Sequence, residues 1–221
     1  MEKRGITLGS YDTAARGWTL TGWNLSAATR KAVLVDKPGG HGHWDLSSVL
    51  TDGEPVYEAR TLTATLECSE GDRLSREAEI DTMINWLDGW TMNIILPDKP
   101  LQYLTGVVHV ERVYNDPAHA SVALEAICDP WRYNSTETII SLPAVTASAQ
   151  TAEIVNSGRL SVVPLVEIIG TNSVHLVFGT SSWVLSPGSY KLPDFRLTPG
   201  THELLYSGSG KIQISFREGV L

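Results

Sequence analysis

The stretch Arg60-Thr-Leu-Thr-Ala-Thr-Leu-Glu-Cys68, followed by Ser75-Arg-Glu-Ala-Glu-Ile-Asp-Thr-Met-Ile-Asn-Trp-Leu-Asp-Gly-Trp90, decides how this chain folds. In its first part Leu62, Ala64, Leu66 and Cys68 fall on one side, and Thr61, Thr63, Thr65 and Glu67 on the other. A period of two on β-favouring residues predicts a half-buried strand. The period then changes. Ile80, Met83, Ile84 and Leu87 recur at helical spacing, an apolar stripe on a helix of about four turns. Ser75 is placed to cap it, Glu77 and Glu79 to suit its positive end, and Gly89 to stop it. Strand signals return over Thr91–Leu96, Tyr103–Val113 and Ala120–Cys128, separated by turns at Pro97-Asp-Lys-Pro100 and Asn115-Asp-Pro117. The expected fold is mainly β, with one amphipathic helix laid on an antiparallel sheet.

Upstream, Ile6/Leu8, Trp18/Leu20 and Val33/Val35 suggest short strands, linked irregularly through Ser26-Ala-Ala-Thr29. Lys37-Pro-Gly-Gly-His-Gly-His43 reads as a loop, and Asp45–Leu50 as a single helical turn capped by Asp45. Downstream of Trp131 the charges thin out and no helical period recurs. Ser141–Gln150 is a low-charge segment rich in small residues, either a linker or an exposed edge. Val162–Ile169 is apolar on both faces and reads as a central strand, with Pro164 marking a bulge or an unpaired position. Val174, Leu176 and Phe178 alternate, as do Ile212, Ile214 and Phe216, and Ser207-Gly-Ser-Gly210 reads as a hairpin turn. Turn signals at this spacing predict a sandwich of about seven or eight antiparallel strands. The division expected is residues 1–132 and 133–221.

The motifs in this order resemble the distal tail proteins of long-tailed phages, the hub of siphophage-type tail tips and related prophage elements. The resemblance rests on Arg60–Leu66, Ile84-Asn-Trp-Leu-Asp-Gly-Trp90, Met92-Asn-Ile-Ile-Leu-Pro-Asp-Lys-Pro100 and Tyr103-Leu-Thr-Gly106-Val-Val-His-Val110. It is extended by Gly39-Gly-His-Gly-His-Trp-Asp45-Leu-Ser47, Asp129-Pro-Trp-Arg-Tyr133 and Leu197–Gly210. The helix ending Trp86-Leu-Asp-Gly-Trp90 departs from the family's Leu-His-Gly type. The resemblance implies an N-terminal β-barrel-like sheet with one helix and a C-terminal galectin-like β-sandwich. It implies a hexameric ring joining the tail tube protein to the tail tip or tail-associated protein, with DNA passing through a central channel. Tape measure and receptor-binding proteins are further implied partners, and the location would be the tail tip of a virion assembled in a bacterial cytoplasm.

Composition excludes other classes. With 25 acidic and 17 basic residues the net charge is -8, a poor balance for coating phosphates. No run approaches the ~18 apolar residues a spanning helix needs, and the first residues carry no secretory pattern. A soluble chain is expected. Cys68 and Cys128 lie on inward faces and read as buried thiols, or as a disulfide if their strands are neighbours.

Candidate chemistry is sparse. His41, His43 and Asp45 have metal-ligand types at close spacing, but without a fourth ligand an exposed turn is the better reading. His109-Val-Glu111 has a zinc-deaminase spacing without the Pro-Cys-x-x-Cys partner. No nucleophile elbow, P-loop or dinucleotide fingerprint occurs, so neither an enzyme nor a cofactor is expected. Trp86 and Trp90 are expected to pack on the sheet, while Trp44 follows the glycine loop. Trp183 and Tyr190 are candidates for a sugar-stacking platform or a subunit interface. The rival reading is therefore a monomeric carbohydrate-binding module.

Overall fold

A computed structural model describes residues 4–51, 53–142, 148–170 and 172–221. The chain divides into two compact units, Met1–Arg132 and Tyr133–Leu221, each with its own apolar core. The fold is mainly β, and α1 is the one helix among the described residues.

The first unit comprises β1 (Thr7–Leu8), β2 (Tyr11–Asp12), β3 (Thr19–Leu25), β4 (Leu34–Asp36), β5 (His43–Asp45), β6 (Arg60–Cys68), α1 (Arg73–Leu87), β7 (Thr91–Ile95), β8 (Gln102–Asn115) and β9 (Ala120–Asn134). The strand β9 runs through the expected junction at Asp129–Tyr133 rather than stopping at Cys128. Seven strands form a curled sheet in the order β2-β1-β7-β8-β9-β6-β3. On β6 the residues Arg60, Leu62, Ala64, Leu66 and Cys68 are buried, while the threonines between them stay at least partly exposed. Across the register Leu62 faces Ala126, Ala64 faces Leu124 and Leu66 faces Val122. Ile80, Met83 and Leu87 of α1 join this core.

Asp72, not Ser75, caps α1: its carboxylate accepts the Ser75 N–H at 2.7 Å. The helix therefore begins at Arg73, which moves Glu77 and Glu79 out of its first turn. It ends at the Asp88 cap, and Gly89 then turns away with φ 77°. Its N–H donates to Val108 O at 2.7 Å. Trp86 and Trp90 do not pack on the sheet; they are 74% and 65% exposed. At 100° per residue, Trp86 sits well to the side of the stripe through Ile80, Met83 and Leu87. Trp90 follows the Gly89 turn. Asp45 ends a strand instead of capping a helical turn. Its carboxylate accepts the N–H of Ser47 two residues on, closing a local turn.

Cys68 and Cys128 are free and buried. They lie on neighbouring strands but at opposite ends of the ladder, Cys68 facing Ala120 and Cys128 facing Arg60. At about 3.3 Å per residue that separation is far beyond disulfide reach.

The second unit comprises β10 (Thr138–Ser141), β11 (Gln150–Asn156), β12 (Leu165–Ile169), β13 (Val174–Phe178), β14 (Ser181–Leu185), β15 (Gly188–Lys191), β16 (Gly200–Gly208), β17 (Lys211–Phe216) and β18 (Gly219–Val220). Two four-stranded antiparallel sheets, β10-β17-β12-β15 and β11-β16-β13-β14, share one core and make a sandwich. Residues 143–147, the middle of the expected linker, lie outside the described residues. The strand expected over Val162–Ile169 starts only at Leu165, after Pro164, and Val162 makes an isolated bridge to Leu197. It is central in its sheet, yet Leu165 and Ile169 on its outer side remain exposed. Ser207–Gly210 is not a hairpin turn. It carries the chain from β16 in one sheet to β17 in the other, with Gly208 and Gly210 at φ 125° and 155°.

Candidate assembly surface

Between β3 and β6 the first unit sends out an arm that belongs to no core. Its base is pinned by Lys31 N–H to Val56 O and Glu58 N–H to Thr29 O, both 2.8 Å. Beyond the base β4 and β5 pair alone, Leu34 facing Asp45, Val35 facing Trp44 and Asp36 facing His43. Successive strand residues point to opposite faces. Leu34 and Val35 are nevertheless 55% and 42% exposed, so neither face of this ribbon is covered. Val33, Trp44, Leu46, Val49 and Leu50 add to the exposed apolar surface, and Leu50 reaches 97% exposure. A lone two-stranded ribbon is marginal in water without something to pack on. Exposed apolar clusters of this kind are a feature of interaction surfaces, for proteins, membranes or ligands.

The second exposed apolar surface flanks α1. A groove of about 320 Å³ is lined by Leu8, Tyr11, Arg16, Thr82, Trp86 and Met92. The Arg16 guanidinium lies 4.4 Å from the centre of the Tyr11 ring and 3.0 Å from Glu79. The Tyr11 hydroxyl donates to Glu79 as well, and burial, followed by that carboxylate, pushes its pKa far up. On the sheet face opposite the core side chains, a hollow of about 480 Å³ is lined by Trp23, Thr63, Thr65, His109, Glu111 and Glu125 among others. His109 lies 3.4 Å from Asp88.

The helix is held down by a residue that the sequence reading passed over. Arg76, 3% exposed, donates to Gly71 O and Asp116 O at 2.7 Å each, and to Pro117 O at 3.2 Å. It thereby ties the start of α1 to the turn between β8 and β9. The Asp116 carboxylate orders that turn by accepting the N–H groups of His119 and Ala118. Those bonds hold its pKa below the usual carboxylate range, as the Ser75 bonds do for Asp72 and the Ser47 bonds for Asp45. A polar residue at a stripe position, four before Ile80, was the available signal for Arg76.

The other sequence candidates do not converge. His41 lies in the loop, His43 Nδ1 pairs with Asp36 at 2.6 Å, and Asp45 pairs with Arg30 at 3.6 Å. Among the described residues no group of three His, Cys, Asp or Glu side chains is placed to hold a metal ion. No described helix is long and apolar enough to cross a membrane. Trp183 on β14 and Tyr190 on β15 stand on different sheets of the sandwich, both packed against its core. The Trp183 ring centre is 6.3 Å from that of buried Phe195, and the Tyr190 hydroxyl donates to Ser186 O.

No protein-family model and no curated protein matches the sequence. Solved structures do match. One is the crystal structure of the SPP1 Dit (gp 19.1) protein, described as a paradigm of the hub adsorption apparatus in phages infecting Gram-positive bacteria. The two chains are 14% identical, the match covers 96% of this chain and 98% of that one, and the TM-score is 0.68. The likeness is one of fold, and it runs through both units.

Proposed function

We propose that this chain is a structural distal tail protein of a phage or prophage, the hub that joins a tail tube to the tail tip. The observation that carries this reading is the likeness to a hub protein over nearly the full length of both chains. The first unit closes into a ring of six copies by head-to-tail contact, one face of each copy meeting a different face of the next. The uncovered arm at residues 31–51 supplies one of those faces, since burying its apolar residues on a neighbour relieves their exposure. DNA passes through the central channel without being gripped, in keeping with a net charge of -8. The sandwich of the second unit stands outside the ring as a docking site for peripheral parts. Tube, tip, tape measure and receptor-binding proteins are its partners, and its role is assembly rather than catalysis.

Light scattering on a sizing column, followed by negative-stain imaging, tests the reading. The expected result is a closed ring of six copies. A triple variant, Leu34→Ser, Val35→Ser and Leu50→Ser, should be monomeric with unchanged circular dichroism, because those side chains touch no core. A wild-type chain that stays monomeric at every accessible concentration refutes arm-driven closure. Deleting residues 134–221 should leave a ring-forming fragment; rings formed by the full chain alone refute the division of labour.

A further inference from the structure

The arm has two unlike faces. Residues paired across a ribbon share a side, and successive residues alternate between sides. Val35 pairs with Trp44, and the Leu46 N–H donates to Val33 O at 2.8 Å. Val33, Val35, Trp44 and Leu46 therefore stand together and make one side wholly apolar. The other side carries Leu34, Asp36, His43 and Asp45, with Asp36 and His43 paired to each other. A ribbon of this pattern fits onto an apolar surface, yet its four apolar residues are all exposed.

The groove beside α1 has the matching chemistry. Buried Leu8 and Leu87 make its floor, and Tyr11, Trp86 and Met92 its walls. No residue of the arm lines it. Its lining comes from β1, β2, α1 and β7, whereas the arm leaves the sheet between β3 and β6. Strands β2 and β3 are the two ends of the strand order, so groove and arm lie toward opposite ends of one sheet. A head-to-tail contact needs two such different, complementary faces on one chain. Charge is compatible in sign. From Asp72 to Asp88 the chain holds five carboxylates, against four arginines once Arg16 and Arg112, which pair with Glu79, Glu77 and Asp81, are counted. On the arm, Lys31 and Lys37 have no ion-pair partner among the described residues. We propose that this groove receives the arm of a second copy, with Trp44 entering beside Trp86 and Met92. An aromatic pair and a thioether add contacts beyond the area they bury, and a large aromatic in a pocket is a common anchor of an interface. The inference rests on the head-to-tail assembly proposed above and names the surface that the arm meets.

The test uses the full chain, with native mass from light scattering and circular dichroism as the check on folding. Trp86→Glu should prevent assembly with an unchanged spectrum, because Trp86 is exposed and belongs to no core. Trp86→Ala should raise the concentration needed for half-assembly about 30-fold or more. Trp90→Glu changes another outward tryptophan that does not line the groove, and should leave assembly intact. Cross-linking reads the contact itself. Leu46→Cys and Thr82→Cys chains, mixed and treated with a short bis-maleimide, should give a covalent pair. Neither variant should give one alone, because an arm meets a groove and the native Cys68 and Cys128 are buried. Wild-type chains that stay monomeric at every concentration refute the assembly reading and this contact together. Rings from Trp86→Glu, an equal loss with Trp90→Glu, or no mixed cross-link in assembled chains overturn the contact alone.

Discussion

Replacing Arg76 by Met should loosen the docking of α1 against the turn between β8 and β9. Met nearly matches the aliphatic part of Arg, so little packing is lost. What disappears are the two 2.7 Å bonds to Gly71 O and Asp116 O, together with longer ones to Pro117 O, Asn115 Oδ1 and Glu70 O. A hydrogen bond to a charged group is worth about 1.5–3 kcal/mol net, so the two short ones contribute about 4 kcal/mol. That figure already includes desolvation of the charge, so the expected loss is about 3–4 kcal/mol. For a unit of this size the unfolding temperature should fall by about 10 °C. Calorimetry measures the shift, and hydrogen exchange locates it: protection should drop together in the first turns of α1 and at residues 116–119. Amides in the core of the second unit should keep their protection, because its apolar cluster contains no residue of α1. A loss below about 1 kcal/mol would refute the clamp. Equally damaging would be an Arg76→Lys variant as stable as wild type, since an ammonium lacks the planar fork that reaches both carbonyl groups at once.

Other expectations follow from close contacts and titrating groups. A Cβ on Gly106 would lie 2.7 Å from both Cys128 Sγ and Ile127 O and 2.9 Å from Cys128 Cα. Gly106→Ala should therefore cost about 1–3 kcal/mol or more by denaturant titration, and Cys128→Ala should not rescue it, because the backbone clashes remain. Burial pushes the Cys128 thiol up to about 11, so alkylation at pH 8 should leave Cys128 unmodified in the folded chain and modify it in denaturant. Asp72 and Asp116 have folded pKa values below their unfolded ones, so their contribution is present above about pH 4 and fades as pH falls through the folded values. The unfolding temperature should drop below about pH 4, less steeply in Asp72→Asn and Asp116→Asn, which start from lower stability.

The local elements were legible where a face is covered. The alternation of Leu62, Ala64, Leu66 and Cys68 and the stripe through Ile80, Met83 and Leu87 each record burial on one side, and both proved to be core. The same signal misled where nothing in the chain covers the strand. Val33 and Val35 alternate like a core strand, yet they belong to an arm with nothing packed on it. Trp86 and Trp90 look like core residues by type, but helix geometry and the Gly89 turn send them outward. The helix cap shifted from Ser75 to Asp72 because the two sites are three residues apart and equally plausible by residue type. The segment Ser207–Gly210 has hairpin composition, and only the pairing of β16 and β17 with different strands shows a crossover.

Residue periodicity by itself determined that the chain is mainly β and where the one helix among the described residues falls. Those properties arise from contacts between near neighbours and from which side chains avoid water. Tertiary structure alone decided the order of strands in the sheets and the eight-residue offset between Cys68 and Cys128 along the β6–β9 ladder. It also decided the Arg76 clamp and the bareness of the arm. Each of these depends on residues far apart in sequence meeting, or failing to meet, in space, and a one-dimensional pattern of hydrophobicity records burial without recording what does the burying.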